Sequence, residues 1–147
     1  MTWFWTITFI LSLLFLLPVP GRIIKKYTNF GLVGGFLVGL LVLFSLVNIF
    51  KVWSFPRYDF LTIAGFPLLL ALTWLPLEIF FAWAFTQEGQ WSLATLLGLP
   101  IITTIYHYYL LQRGLVIYHN WNLAYTLLMS LIIHIVLHFY LTSQVKT

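Results

Sequence analysis

Apolar residues run almost unbroken along this chain, and the polar ones divide it into five long segments. The first runs from Trp3 to Val19 and stops at LPVPG. The second spans the 21 residues Phe30 to Phe50, and the third the 26 residues Phe60 to Phe85. The fourth spans the 20 residues Trp91 to Leu110, and the fifth the 19 residues Leu123 to Leu141. A hydrocarbon core needs about 20 helical residues. The pattern therefore predicts an all-α fold: a polytopic membrane bundle of five transmembrane helices, forming one integral membrane domain over residues 1–147. Gly98 and Pro100 interrupt the fourth segment and TIYHYY makes it polar, so a re-entrant fourth segment would leave four helices. The first segment has no basic residue ahead of it and no small-residue cleavage pattern behind it, so it reads as a membrane helix and not as a cleaved leader.

Composition narrows the class further. Of 147 residues, 62% are hydrophobic, 20% aromatic and only 7% charged, and the mean hydropathy is +1.01. Three acids and seven bases are too few to cover a soluble surface. There are no cysteines, which excludes disulfides and thiolate chemistry. Arg22, Lys25 and Lys26 form the one basic cluster, which suits membrane lipid headgroups and no nucleic acid. With that cluster in a cytoplasmic loop 21–29, the N-terminus lies outside and the C-terminus inside. Lys146 joins the cluster on the inner face, against Lys51, Arg57 and Arg113 outside. Trp3, Trp5, Tyr27, Trp53, Tyr58, Trp91, Tyr118 and Trp121 mark the segment ends, where aromatic rings suit the headgroup zone.

Packing and chemistry come from the polar exceptions. Gly31, Gly35 and Gly39 recur every four residues and make a groove for close helix approach, either within the chain or to a second copy. Glu78 stands about 10 Å inside the inner end of the third helix, counted at 1.5 Å per residue. A carboxylate at that depth is costly unless paired, so it should face the bundle. Pro67 and Pro76 should kink this helix, because each lacks the N–H that would bond the carbonyl four residues earlier. On the fifth helix Asn122, Thr126, Ser130, His134, His138 and Thr142 recur at steps of four. His134 lies at the computed depth of Glu78 and His138 one turn nearer the inner end. Glu78, His134 and His138 are thus the candidate catalytic group. They can act as a buried hydrogen-bond network, an acid–base or proton-handling site, or a metal site, although HxxxH alone specifies no metal. Whether a cofactor is used is left unknown by the sequence. A second cluster is expected at the outer face, with Arg57, Asp59, His107 and Arg113 among Tyr106, Tyr108, Tyr109, Tyr118 and His119. Arg57 and Asp59 could simply pair there.

Two resemblances follow from particular residues. Gly114, Tyr118, Trp121, Tyr125 and Thr126, in the stretch from ITTIYHYY to LHFY, resemble the C-terminal part of a family of small uncharacterised multi-pass membrane proteins of Gram-positive, often spore-forming bacteria. That resemblance implies a plasma-membrane protein and supplies no activity. Trp53, Phe55, Pro76 and Glu78 are similar to the Trp-x-Phe and Pro-x-Glu-Glu pattern of lycopene cyclase-type membrane domains. It would make Glu78 an acid acting on a polyene, with Ile79 standing where the pattern has a second acid. Three functions stay open: a non-enzymatic structural, sensory or partner subunit, an intramembrane enzyme acting on a lipid or isoprenoid, and a small transporter component. The first expects Glu78 and His134 fully satisfied by each other and by nearby hydroxyls, with no cavity. The second expects an apolar cavity that reaches Glu78, and the third expects water access to it.

Overall fold

The computed structural model describes residues 3–87 and 91–145 and is built from five helices. They are α1 Phe4–Leu16, α2 Gly21–Ile49, α3 Leu68–Phe85, α4 Trp91–Gln112 and α5 Leu123–Val145. The last four are long and apolar enough to cross a membrane. The protein is a multi-pass membrane helical bundle.

Several segment limits differ from the hydropathy reading, each for a local reason. The fourth segment is not re-entrant: α4 is one helix of 22 residues with Pro100 inside it. The short member is α1. Its first nine residues are α-helical and its last four tighten into a 3₁₀ turn, ahead of Pro18 and Pro20. At about 1.5 and 2.0 Å per residue those pieces reach roughly 21 Å. The expected basic loop 21–29 is the opening of α2, launched from Pro20, whose carbonyl takes the N–H of Ile23 and Ile24. Arg22, Lys25 and Lys26 therefore lie along a helix end, and Lys146 lies outside the described residues.

The third helix begins at Leu68, eight residues later than Phe60. The residues before it fold into a small antiparallel hairpin, β2 Thr62–Ile63 with β3 Phe66–Pro67. Its two turn residues, Ala64 and Gly65, have φ of 47° and 80°. Two successive left-handed residues are what a tight two-residue hairpin turn requires. Asn48 Nδ2 donates to the Ala64 carbonyl at 2.9 Å, which holds the strained residue in place. Pro67 thus precedes the helix and does not kink it. Pro76 does lie inside α3, whose helical pattern is interrupted by a turn at Thr73.

One end of the bundle is closed by a clasp of loops. β1 Trp53–Ser54 pairs antiparallel with β4 Ile117–Tyr118, in the register Trp53 with Tyr118. α4 ends on Gly114, at φ 60°. The Leu115 N–H returns to Leu110 O and the Gly114 N–H to Leu111 O, which satisfies the last carbonyls. α5 starts on Asn122, whose Oδ1 accepts the Tyr125 N–H at 2.9 Å. α1 is tied to the same end: Asp59 Oδ2 accepts both the Thr6 N–H and the Thr6 hydroxyl at 2.7 Å. Trp5 Nε1 donates to Arg57 O at 3.0 Å. The N-terminal turn of α1 and both clasp loops therefore share one face, and α5 ends on the other.

Two apolar clusters fill the interior. Trp5, Leu43, Trp53, Phe55, Phe66 and Leu110 lie toward the clasp. Tyr27, Ile79, Phe81, Leu99 and Leu137 lie toward the opposite end. The glycine stripe of α2 packs on α3. A Cβ on Gly35 would lie 2.6 Å from Trp74 O, and one on Gly31 would lie 2.7 Å from Ile79 Cγ1. Gly39 faces the Trp74 ring, where a Cβ would meet Cδ1 at 3.0 Å. Around this contact α2 is wound more widely, with i→i+5 turns over Gly31–Leu37 and again over Ser45–Ile49.

Candidate functional site

Helical periodicity sets one face of α3 against one face of α5. Trp74, Glu78 and Phe81 lie at i, i+4 and i+7, so they line a single side of α3. Ser130, His134 and His138 do the same on α5. Where the two faces meet, His134 Nε2 lies 3.4 Å from Glu78 Oε1. Glu78 is 0% exposed and His134 1% exposed. The imidazole sits between Trp74, with centroids 6.3 Å apart, and the edge of Phe81 at 5.4 Å.

The hydrogen bond on the far side of the ring fixes its tautomer. His134 Nδ1 is 2.8 Å from the Ser130 carbonyl, an acceptor only, so Nδ1 carries a proton. Nε2 then presents a lone pair to Glu78 when the ring is neutral and an N–H when it is charged. The contact is attractive when one proton lies between Oε1 and Nε2. That can be a carboxylic acid facing imidazole or a carboxylate facing imidazolium. With no proton there, two lone pairs oppose each other.

Satisfaction is incomplete. Neither Glu78 oxygen has a well-formed hydrogen bond among the described residues, and 3.4 Å is long for one. Ser130 Oγ is likewise unpartnered. The expectation that nearby hydroxyls saturate the pair is not met. His138 stays one turn away, edge-on to Phe85 at 5.1 Å, and its buried Nδ1 has no partner. The structure thus joins two of the three candidate residues, and puts the third against an aromatic ring. No group of three or more His, Asp or Glu side chains placed to hold a metal occurs among the described residues.

The clasp end carries a second polar network. Trp121 Nε1 donates to Thr126 Oγ1 at 2.9 Å, Thr126 Oγ1 is 2.9 Å from the Tyr118 hydroxyl, and that hydroxyl is 2.8 Å from His107 Nδ1. Trp53 stacks on Tyr118 with centroids 5.3 Å apart and covers His107 at 4.6 Å. Burial pushes the Tyr118 phenol up to about 12, against the opposing pull of its Thr126 bond. The outer cluster expected from sequence is dispersed by this fold. Asp59 caps α1, His119 Nε2 meets the Ser54 hydroxyl at 2.9 Å, and Arg113 lies over the Tyr109 ring at 5.3 Å. Tyr106 reaches across to Thr8 at 2.9 Å.

Two cavities adjoin His107. A small one of about 20 Å³ is lined by Trp53, His107, Thr126 and Ser130, among others. The unpartnered Trp53 Nε1 and Ser130 Oγ both belong to lining residues. A larger crevice of about 230 Å³ lies between α1, α3 and α4. Both cavities share Leu70, Trp74, Thr103 and His107. Glu78 lines neither, although its neighbour Leu77 forms part of the crevice wall. Thr103 was not singled out from sequence. Its spacing of four from His107 on one helix was the available signal.

Compared with protein-family models, with curated proteins and with solved structures, the chain matches none.

Proposed function

We propose that this protein is a non-enzymatic multi-pass membrane subunit in which the Glu78–His134 pair is an internal strut between α3 and α5. One observation carries the reading. The pair is enclosed on all sides, with the carboxylate 0% exposed and one imidazole nitrogen committed to the Ser130 backbone. A group that transforms a substrate must be reached by it, and the walls around this pair are Trp74, Phe81 and the helices themselves. In this reading the N-terminus and the clasp face outward and α5 ends in the cytoplasm. Arg22, Lys25 and Lys26 then sit on the inner side.

A second reading, an intramembrane enzyme acting on a lipid, is favoured by the unsatisfied Glu78 oxygens and by the crevice that comes as near as Leu77. Total lipid extracts from cells making the wild-type protein, the Glu78→Gln variant or neither separate the two by mass spectrometry. The strut reading expects the same lipids in all three. A lipid species that appears with the wild type and is lost with Glu78→Gln establishes the enzyme and overturns the strut.

A further inference from the structure

The crevice between α1, α3 and α4 has the construction of a binding site for one chemical class. Most of its wall is hydrocarbon: Leu11, Phe15, Leu70, Leu77, Leu99 and Ile102. Its volume of about 230 Å³ exceeds the roughly 150 Å³ that suffices for a benzene-sized guest in an apolar protein cavity. Leu11 and Ile102 are half-exposed on the bundle surface, so the crevice opens sideways into lipid.

Its inner wall carries two polar groups with capacity to spare. His107 is 4% exposed, and its Nδ1 is committed to Tyr118. Its Nε2 makes no hydrogen bond among the described residues, and neither does Thr103 Oγ1, one turn earlier. The other hydroxyls in the wall are occupied: Thr8 with Tyr106, Ser12 with Phe9 O and Thr73 with Leu70 O. A polar group that faces hydrocarbon has no water to bond, so a ligand oxygen that supplies the partner gains about one net hydrogen bond, roughly 0.5–1.5 kcal/mol.

Depth and charge select the ligand. Counted from Gln112 at 1.5 Å per residue, His107 lies about 8 Å and Thr103 about 14 Å below the clasp end of α4. Among the described residues no lysine, arginine or acidic residue lines the crevice. A phosphate or carboxylate headgroup would be stranded there without a counter-charge. An uncharged oxygen on an apolar chain fits. A hydroxyl suits either tautomer of His107, and a carbonyl suits the one with a proton on Nε2.

We propose that the α1–α3–α4 crevice binds a neutral lipid through one uncharged hydroxyl or carbonyl oxygen held by Thr103 Oγ1 and His107 Nε2. The chain of the ligand lies along Leu11, Phe15, Leu77 and Leu99. This site is separate from the Glu78–His134 pair, and binding there requires no chemistry at Glu78.

The test uses the purified full chain in detergent micelles and the quenching of tryptophan fluorescence, since Trp74 is part of the crevice wall. Three probes share one chain brominated at its far end: undecanol, undecane and undecanoate. Undecanol should quench saturably, with half-saturation about five- to tenfold below that of the undecane, the worth of one net hydrogen bond. Undecanoate at neutral pH should bind no better than the undecane. Thr103→Val removes a hydroxyl with no internal partner, so the fold should persist and the advantage of the alcohol should vanish. Ser12→Leu, which fills the crevice from α1, should weaken quenching by both uncharged probes. Equal quenching by alcohol and alkane in the wild type overturns the proposal, as does an advantage that survives Thr103→Val. A brominated undecanone in the same assay separates the two head chemistries. Tighter binding than the alcohol assigns a carbonyl lipid, and weaker binding assigns a hydroxyl lipid.

Discussion

The Glu78–His134 contact makes a graded prediction about three side chains at one position. In Glu78→Ala, His134 Nε2 loses its one polar neighbour among the described residues, at about 1–3 kcal/mol for a buried unsatisfied nitrogen. The lost methylene adds about 0.8 kcal/mol. The sum is about 2–4 kcal/mol. Glu78→Gln keeps the shape and presents an amide N–H to Nε2, which reproduces the neutral acid facing the neutral ring. Hydrogen bonds between membrane helices average about 0.6 kcal/mol by double-mutant cycles. The glutamine variant should therefore lie within about 1 kcal/mol of the wild type. Glu78→Leu removes the polar group but fills the space, and should fall between the other two. The assay is unfolding in mixed micelles by sodium dodecyl sulfate, followed by circular dichroism. A cycle with His134→Phe should isolate a coupling of about 0.5–2 kcal/mol between the two positions. Glutamine as damaging as alanine would falsify the neutral form and show that a carboxylate faces an imidazolium. Zero coupling would show that the packing of His134 against Trp74 and Phe81 holds the helices by itself.

Three other outcomes test separate parts of the structure. Gly35→Ala should destabilise by about 1–3 kcal/mol in the same assay, because its Cβ meets the Trp74 carbonyl at 2.6 Å. Gly98→Ala has nothing within 4 Å and should be neutral or stabilising by up to about 1 kcal/mol. Asp59→Ala removes the acceptor from the first turn of α1 and should cost about 0.5–2 kcal/mol. Faster proteolysis of the N-terminal segment in proteoliposomes is its local readout. The small cavity beside Trp53 and Ser130 should hold one ordered water, since about 20 Å³ exceeds the roughly 10–15 Å³ one water needs and the unpartnered Trp53 Nε1 and Ser130 Oγ belong to residues that line it. A high-resolution density map without that water would refute this.

How far the sequence reaches is clearest at Glu78. The rise per residue of a helix is constant, so counting from two segment ends put Glu78 and His134 at one depth, and the structure places them 3.4 Å apart. His138 shares the His134 side of α5 but lies one turn further along it, and that step of about 5–6 Å along the axis sets it against Phe85 instead of Glu78. Hydropathy found the long segments but misjudged their ends. Phe60 to Pro67 is apolar enough to read as helix, yet Ala64 and Gly65 turn it into a hairpin. Arg22, Lys25 and Lys26 are polar enough to read as loop, yet they begin α2. An apolar run reports a solvent preference, and a turn is decided by backbone angles that such a run does not encode. The crevice was invisible for a different reason. It is formed by three helices distant in sequence, and Thr103 has no local signature beyond its spacing from His107.

The cap that Asp59 places on α1 has a consequence for how this chain is made. At roughly 21 Å, α1 is shorter than the 30 Å or so of a bilayer interior, and its first turn has unpaired N–H groups. The residues that hold that turn, Arg57 and Asp59, follow it by 52 and 53 positions. A ribosome delivers α1 and all of α2 to the membrane before either holder emerges. Until then the first turn of the nascent α1 lacks both holders, and its final seat exists only once the loop after α2 has folded over it. A helix made before α2 is therefore fixed in its place only after α2 is complete.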